Sequence, residues 1–114
     1  MVERGEYVEA IAEFYADDAT MQENLGPLRR GRETLMAHER TAMASVREIR
    51  TIPGSTFLVD GDRVVIHWRF DIEGKDGGIR HLDELAHQRW SGGRIVEERF
   101  YYDPKGPSAA SEIR

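Results

Sequence analysis

Residues 63–73 constrain the fold of this chain more than any other segment, because apolar and polar side chains alternate along them. A period of two is typical of a β-strand that buries one face. Val64, Ile66, Trp68, Phe70 and Ile72 make up the apolar face, and Val65, His67, Arg69 and Asp71 make up the other. The segment therefore predicts a sheet strand with one face in a core and one wetter face.

Turn signals divide the sequence beyond Ala44 into four predicted strands. The signals are Asp60-Gly61-Asp62, residues 74–78 and Ser91-Gly92-Gly93. Pro53-Gly54 interrupts the strand before the first signal and predicts a bulge or bend, the feature that curves an open sheet. The pattern predicts a strongly bent antiparallel meander.

Two short amphipathic helices are predicted before this sheet. The first covers residues 6–15 and is expected to stop at Asp17 and Asp18, whose side chains bond nearby backbone amides. Residues 19–23 are predicted to be extended, and a turn containing Pro27 follows them.

The second helix is predicted to begin near Gly31. Leu35, His38 and Ala42 lie on its apolar side, whereas Glu39 belongs to a solvated face of mixed charge. Helices followed by a curved antiparallel sheet form an α+β domain in which the helices cover the concave face. A cone of this kind can hold a pocket.

Length and composition limit the class of protein. The 114 residues suit one domain, expected over residues 1–103, with a mobile tail at 104–114. A formal charge of -5 without a basic run argues against nucleic acid, and no segment approaches the roughly 20 apolar residues of a membrane span. The N-terminus has no apolar secretory region, so a cytoplasmic protein is expected.

Cofactors and metals are not expected. The chain has no Cys, its four His residues lack metal-site spacing, and its glycines form no phosphate-binding pattern. The sequence thus predicts chemistry carried by side chains alone.

The alternation of side chains along the last two predicted strands places polar groups inside the cone. If Trp90 points inward, so do Gln88, Ala86 and Glu84. The inward face of the last strand would carry Val96, Glu98, Phe100 and Tyr102.

Burying the carboxyls of Glu84 and Glu98 without partners is costly. Their presence predicts a polar pocket, a water network, or pairing with His38 from the covering helix. The alternative is a one-residue bulge that reverses the parity, exposes both glutamates and buries Leu85.

Four short sequence motifs, in their order along the chain, resemble the nuclear transport factor 2-like superfamily, particularly its SnoaL-like polyketide cyclase and ketosteroid isomerase branches. They are Phe-Tyr-Ala-Asp-Asp-Ala-Thr at 14–20, Gly-Arg-Glu at 31–33, Gly-Arg-Ile-Val-Glu-Glu-Arg at 93–99 and Tyr-Tyr-Asp at 101–103. The resemblance implies a cone-shaped α+β barrel. It does not imply one chemistry, because members of this superfamily include isomerases, cyclases, epoxide hydrolases, dehydratases and non-catalytic proteins.

The resemblance also bears on the start of the chain. The superfamily's usual first helix has no counterpart before Glu6. Either the chain is a naturally short member or its true start lies upstream of Met1, and in both cases one wall of the expected pocket is missing.

The resemblance implies a candidate base but not the groups that assist it in the family's enzymes. Glu23 lies where ketosteroid isomerases place the aspartate that moves the proton, although it could equally be an exposed carboxylate that begins a turn. The isomerase tyrosine belongs to the missing helix, and the second acid aligns with Ala86. The last-strand aspartate of the cyclases and of limonene epoxide hydrolase aligns with Phe100, so neither mechanism transfers whole.

The resulting hypothesis is a cofactor-independent enzyme that acts on a small, partly apolar organic molecule by proton transfer, through isomerisation, cyclisation or addition of water. Glu23 is its expected base, His38 or Glu98 its relay or acid, and Tyr102 and Gln88 its hydrogen-bond donors. The expected ligand-binding residues are Trp68, Phe70, Glu84, Gln88, Trp90, Phe100 and Tyr102.

The alternative hypothesis is a non-catalytic ligand-binding or dimerisation module. With a core this small, a pocket takes space from packing, and a homodimer through the outer face of the sheet is the expected compensation. The residues predicted for that interface are His67, Arg69, His87, Arg89, Arg99 and Tyr101.

Overall fold

The computed structural model describes residues 1–104. A single 3-10 turn, Val2–Arg4, precedes the two helices, α1 at Tyr7–Phe14 and α2 at Arg32–Ala44. The strands are β1 Tyr15–Glu23, β2 Arg29–Arg30, β3 Glu48–Thr51, β4 Thr56–Asp60, β5 Arg63–Glu73, β6 Ile79–Ser91 and β7 Arg94–Tyr101. Except for Pro104, the tail predicted at 104–114 lies outside the described residues.

All seven strands of the described chain join one curved, mostly antiparallel sheet, in the order β2-β1-β7-β6-β5-β3, and β4 also pairs with β5. The predicted meander of β5, β6 and β7 is confirmed. No pattern in the sequence predicts the parallel pairing of β1 with β7. The predicted α+β class, with helices over a curved sheet, is confirmed.

The predicted break at Pro53-Gly54 divides one edge of the sheet into two strands. Thr51 of β3 pairs with Phe70, and Thr56 of β4 pairs with His67, so both strands lie along the same side of β5. Gly54 takes a φ of 90°, which is strained for residues with a side chain, and this allows the chain to bend between them. Five strands therefore stand where four were predicted.

The expected role of Asp17 and Asp18 at the end of α1 is wrong. The helix ends at Phe14, and Tyr15 already has extended backbone angles, φ -96° and ψ 143°. Both aspartates lie in β1, where its register against β7 shifts between Tyr15 and Thr20. The strand extends this far because it buries Tyr15, Ala19 and Met21, and this burial outweighs the local preference of Asp-Asp for a turn.

The core lies at one end of the sheet, where the helices pack on β1 and β7. Its buried residues are Ile11, Tyr15, Ala19, Met21, Leu35 and Ile95. Because this cluster fills only the helix-covered end, the concave face of β5 and β6 remains open to a cavity. No helix in residues 1–104 is long and apolar enough to cross a membrane.

Candidate functional site

A cavity of about 610 Å³ lies between the helices and the concave face of the sheet. All of the residues proposed for the site contribute to its wall: Glu23, His38, Trp68, Phe70, Glu84, Gln88, Trp90, Glu98, Phe100 and Tyr102. The alternation of β5 explains the apolar side, since Ile66, Trp68 and Phe70 all point into it. The structure thus brings the proposed residues together, and their catalytic or binding roles remain predictions.

The deepest polar group is Glu98, which is 4% exposed. The hydroxyl of Tyr15 donates to its Oε1, and Gln88 Nε2 donates to its Oε2 at 2.7 Å. Trp90 Nε1 in turn donates to Gln88 Oε1 at 3.0 Å. Burial raises the pKa of Glu98 to about 8.

Glu84 lies on the same face of β6 and has a different environment. It is 8% exposed, and it makes no hydrogen bond or ion pair with any residue in 1–104. Every fully shielded side-chain oxygen in residues 1–104 has a hydrogen-bond partner. Because the Glu84 carboxyl has none, its oxygens must be accessible from the cavity. Burial first, and then the charges of Glu23 and Glu39, raise the pKa of Glu84 to about 8.

Glu23 lies at the half-exposed side of the cavity, at the end of β1. Its Oε1 accepts a hydrogen bond from the hydroxyl of Tyr102, and its Oε2 is 3.4 Å from Arg29 Nη1 and 3.6 Å from His38 Nε2. Burial, together with the bond to Glu23, raises the pKa of Tyr102 to about 12. The carbonyl of Glu23 also accepts the turn bond from Gly26 N at 2.8 Å, so Glu23 begins a turn and also faces the cavity.

The assignment of Glu39 to a solvated face is wrong. Glu39 lines the cavity, and burial raises its pKa. It lies one turn after Leu35, which is 1% exposed, and so it falls on the buried stripe of α2 despite its charge. Helical spacing alone could have found it.

The inward direction predicted for Val96 is also wrong. Arg89 pairs with Glu97 but Trp90 pairs with Ile95, so Val96 is the extra residue of a β-bulge and faces the outer surface. The bulge shifts the alternation of side chains by one residue, so Ile95 and Glu98 both point inward although they are three positions apart. The alternative in which a bulge exposes Glu84 and Glu98 is wrong, since both are buried.

Leu85, which that alternative buries, is 45% exposed on the outer face. Polar contacts cross the same face from strand to strand, with His67 Nε2 2.5 Å from Asp83 Oδ1 and Arg89 Nε 2.6 Å from Glu97 Oε1. The predicted interface residues lie among them. A homodimer there remains a prediction.

Tyr15 is a second site residue that the sequence did not predict, because its spacing assigned it to the end of a helix. Its phenol contacts Glu98 across 83 positions of sequence. In residues 1–104 no three His, Asp or Glu side chains are arranged to hold a metal ion.

Comparison with known proteins gives a family and a fold. The sequence model of the SnoaL-like domain family matches residues 2–98. A candidate SnoaL-like polyketide cyclase from Mesorhizobium loti is 27% identical over 89% of each chain, with a TM-score of 0.72. No curated protein sequence matches the chain significantly.

More distant structures share the fold. An NTF2-like protein of unknown function from Burkholderia pseudomallei is 20% identical, with 88% of this chain and 81% of that one covered and a TM-score of 0.76. A protein from Catenulispora acidiphila with a ketosteroid isomerase-like fold, solved with trimethylamine, is 20% identical, with coverage of 93% and 78% and a TM-score of 0.71.

Proposed function

The chain belongs to the SnoaL-like domain family, and we propose that it transforms a small, partly apolar organic molecule by proton transfer inside its cavity. The reaction classes are isomerisation, cyclisation and addition of water. A cavity of about 610 Å³ is within the range that encloses small organic ligands.

The observation that carries this proposal is the buried, unpaired carboxyl of Glu84. With its pKa raised to about 8, it holds a proton at neutral pH and can exchange it with a bound molecule. A structural carboxyl at the same depth would be expected to have a partner, as Glu98 has in Tyr15 and Gln88.

Glu23 and Glu84 have complementary roles in this mechanism. Glu23 accepts a hydrogen bond from Tyr102 and lies beside His38 and Arg29, so its carboxyl is held at the cavity wall, as a base must be. For a β,γ-unsaturated ketone, Glu23 removes a proton from the carbon between the carbonyl and the double bond while protonated Glu84 donates to the carbonyl oxygen, which gives a dienol. Glu23 then returns its proton to the far carbon of the dienol and the oxygen gives its proton back to Glu84, which completes an isomerisation.

Exchange of carbon-bound protons tests this mechanism without knowledge of the substrate. We expect the protein to accelerate hydrogen–deuterium exchange at the carbon next to the carbonyl of 2-tetralone in D₂O, followed by NMR. Glu23→Gln should reduce the acceleration by about 100-fold, the usual weight of a general base. Glu97→Gln, on the outer face, is the matched control and should keep full activity.

A non-catalytic ligand-binding module is the second candidate. Phe100 favours it, because this apolar residue lines the cavity where the resemblance to the cyclases places an aspartate. This candidate predicts that 2-tetralone binds wild-type protein and Glu23→Gln equally well while neither accelerates the exchange.

A further inference from the structure

We infer that the cavity selects an organic cation, an alkylated ammonium group carried on an apolar body, and seats it between Glu84 and Trp68. The inference rests on the proposed small-molecule pocket and names the class of molecule that the pocket takes. It does not depend on whether the bound molecule reacts.

The first argument is the balance of charge around the cavity. Four glutamates line it, Glu23, Glu39, Glu84 and Glu98. The basic side chains that also line it are His38, which is near Glu23, and Arg80 and His81, which are exposed. His81 is 2.6 Å from Asp71 and is therefore already paired.

The second argument is the aromatic wall beside Glu84. Trp68 is the direct cross-strand partner of Glu84, so their side chains leave the same face of the sheet as neighbours. Trp68 stacks on Phe70 with ring centroids 6.0 Å apart, and Tyr7 meets Phe70 edge-on at 6.1 Å. Aromatic faces next to a carboxylate are the surroundings in which alkylated ammonium groups bind.

The third argument is that Glu84 lacks a partner within the described chain although it is more than nine-tenths buried. A cation beside it would favour release of the Glu84 proton and supply the countercharge of the resulting carboxylate, and it would also be attracted by Glu23 and Glu39, whose charges reach Glu84. An anion would meet repulsion from the same groups. A neutral ligand would gain only a hydrogen bond.

A matched pair of probes separates charge from shape. Benzyltrimethylammonium carries the cation, and neopentylbenzene has the same outline with carbon in place of nitrogen. Binding is followed by calorimetry and by tryptophan fluorescence, which reports on Trp68 and Trp90 in the cavity wall. The variants are Glu84→Gln and the outer-face control Glu97→Gln.

We expect wild-type protein to bind benzyltrimethylammonium at least about tenfold more tightly than neopentylbenzene, a difference of about 1.4 kcal/mol. Glu84→Gln should remove most of that preference and keep its affinity for neopentylbenzene, which also shows that its cavity is intact. Glu97→Gln should bind both probes as wild type does.

The inference is overturned if neopentylbenzene binds wild-type protein as tightly as the cation, if Glu84→Gln leaves the preference unchanged, or if millimolar benzyltrimethylammonium does not bind. These outcomes are independent of the exchange experiment. If the protein prefers the cation but does not accelerate hydrogen–deuterium exchange, only the proposed catalysis is defeated. If it accelerates the exchange but does not prefer the cation, only this inference is defeated.

Discussion

Glu84 and Glu98 are two buried glutamates on the inward face of neighbouring strands, and burial raises the pKa of each to about 8. Their partners distinguish them. Glu98 accepts bonds from Tyr15 and Gln88, whereas Glu84 has no partner in residues 1–104. The carboxyl of Glu98 is therefore held by neighbouring side chains, whereas that of Glu84 is open to the cavity.

Replacement of Glu84 should stabilise the protein in alkaline solution. Folded Glu84 keeps its proton up to a pKa of about 8, whereas an unfolded glutamate loses it near pH 4.3. Between these values the folded state binds more protons, so its stability falls as the pH rises. Glu84→Gln should thus gain on the order of 2 kcal/mol at pH 8 and little at pH 5.

Urea unfolding at both pH values measures this difference. Glu97→Gln is the control and should show no gain at pH 8, because Glu97 is exposed and paired with Arg89. A Glu84→Gln protein that is less stable than wild type at pH 8 would contradict the assignment of an unpaired, buried carboxyl.

Tyr15→Phe should have the opposite effect on stability. The substitution removes the hydroxyl that donates to Glu98 and leaves a buried oxygen with one donor fewer. We expect a loss of about 1–3 kcal/mol in the free energy of unfolding at pH 7. Tyr101→Phe, on the exposed face of β7, should change it far less, and equal losses in the two variants would argue against the network.

The bulge at Val96 is the feature of a single element that most affects the site. It adds one residue to β7 between Ile95 and Glu97, so Ile95 and Glu98 both face the cavity although they are three positions apart, which regular alternation does not allow. Val96, the extra residue, has no side chain in the cavity. The bulge therefore affects the site only through the register of the backbone.

Deletion of Val96 should therefore cost much less than deletion of Arg99, which lies in the regular part of β7. Without Val96, Glu97 follows Ile95 directly and the pairing with β6 becomes regular, so Glu98 and Phe100 keep their inward direction. Without Arg99, Phe100 moves to the outer face, and we expect a loss of more than about 3 kcal/mol for this variant and of less than about 2 kcal/mol for the Val96 deletion. Thermal unfolding of both variants checks this, and equal losses would show that the bulge does not set the direction of these side chains.

At the scale of the whole molecule, the outer face of the sheet is uncovered in the described chain. His67, Leu85 and Tyr101 form one row across β5, β6 and β7, with Leu85 45% and Tyr101 43% exposed. Exposed apolar side chains within a polar surface are typical of interaction sites. We propose that a second copy of the chain covers them, as expected from the small core.

Sedimentation velocity at micromolar concentration tests the homodimer. Wild-type protein should sediment as a dimer, and Leu85→Glu should sediment as a monomer with an unchanged circular dichroism spectrum, because Leu85 points away from the cavity. A wild-type monomer at this concentration would reject the interface.

Local patterns were enough to predict the side of the sheet that each central side chain occupies. The period of two in β5 and β6 is a property of successive residues, so Trp68, Phe70, Glu84 and Gln88 could be placed on one face before any contact was known. Errors arose where local preference competes with packing. Asp17 has the local character of a turn residue, yet it lies in a strand that its neighbours hold in the core.

Contacts between distant segments could not be read from such patterns. Tyr15 and Glu98 are 83 positions apart, and Tyr102 and Glu23 are 79 apart. Hydrogen bonds of this kind depend on how the sheet curves and on the parallel pairing of β1 with β7. The alternation of residues along the chain determined by itself that these carboxyls lie inside. Only packing in three dimensions determined that Glu98 has hydrogen-bond partners and that Glu84 has none in residues 1–104. The physical reason is that a hydrogen bond depends on distance in space and not on spacing along the chain.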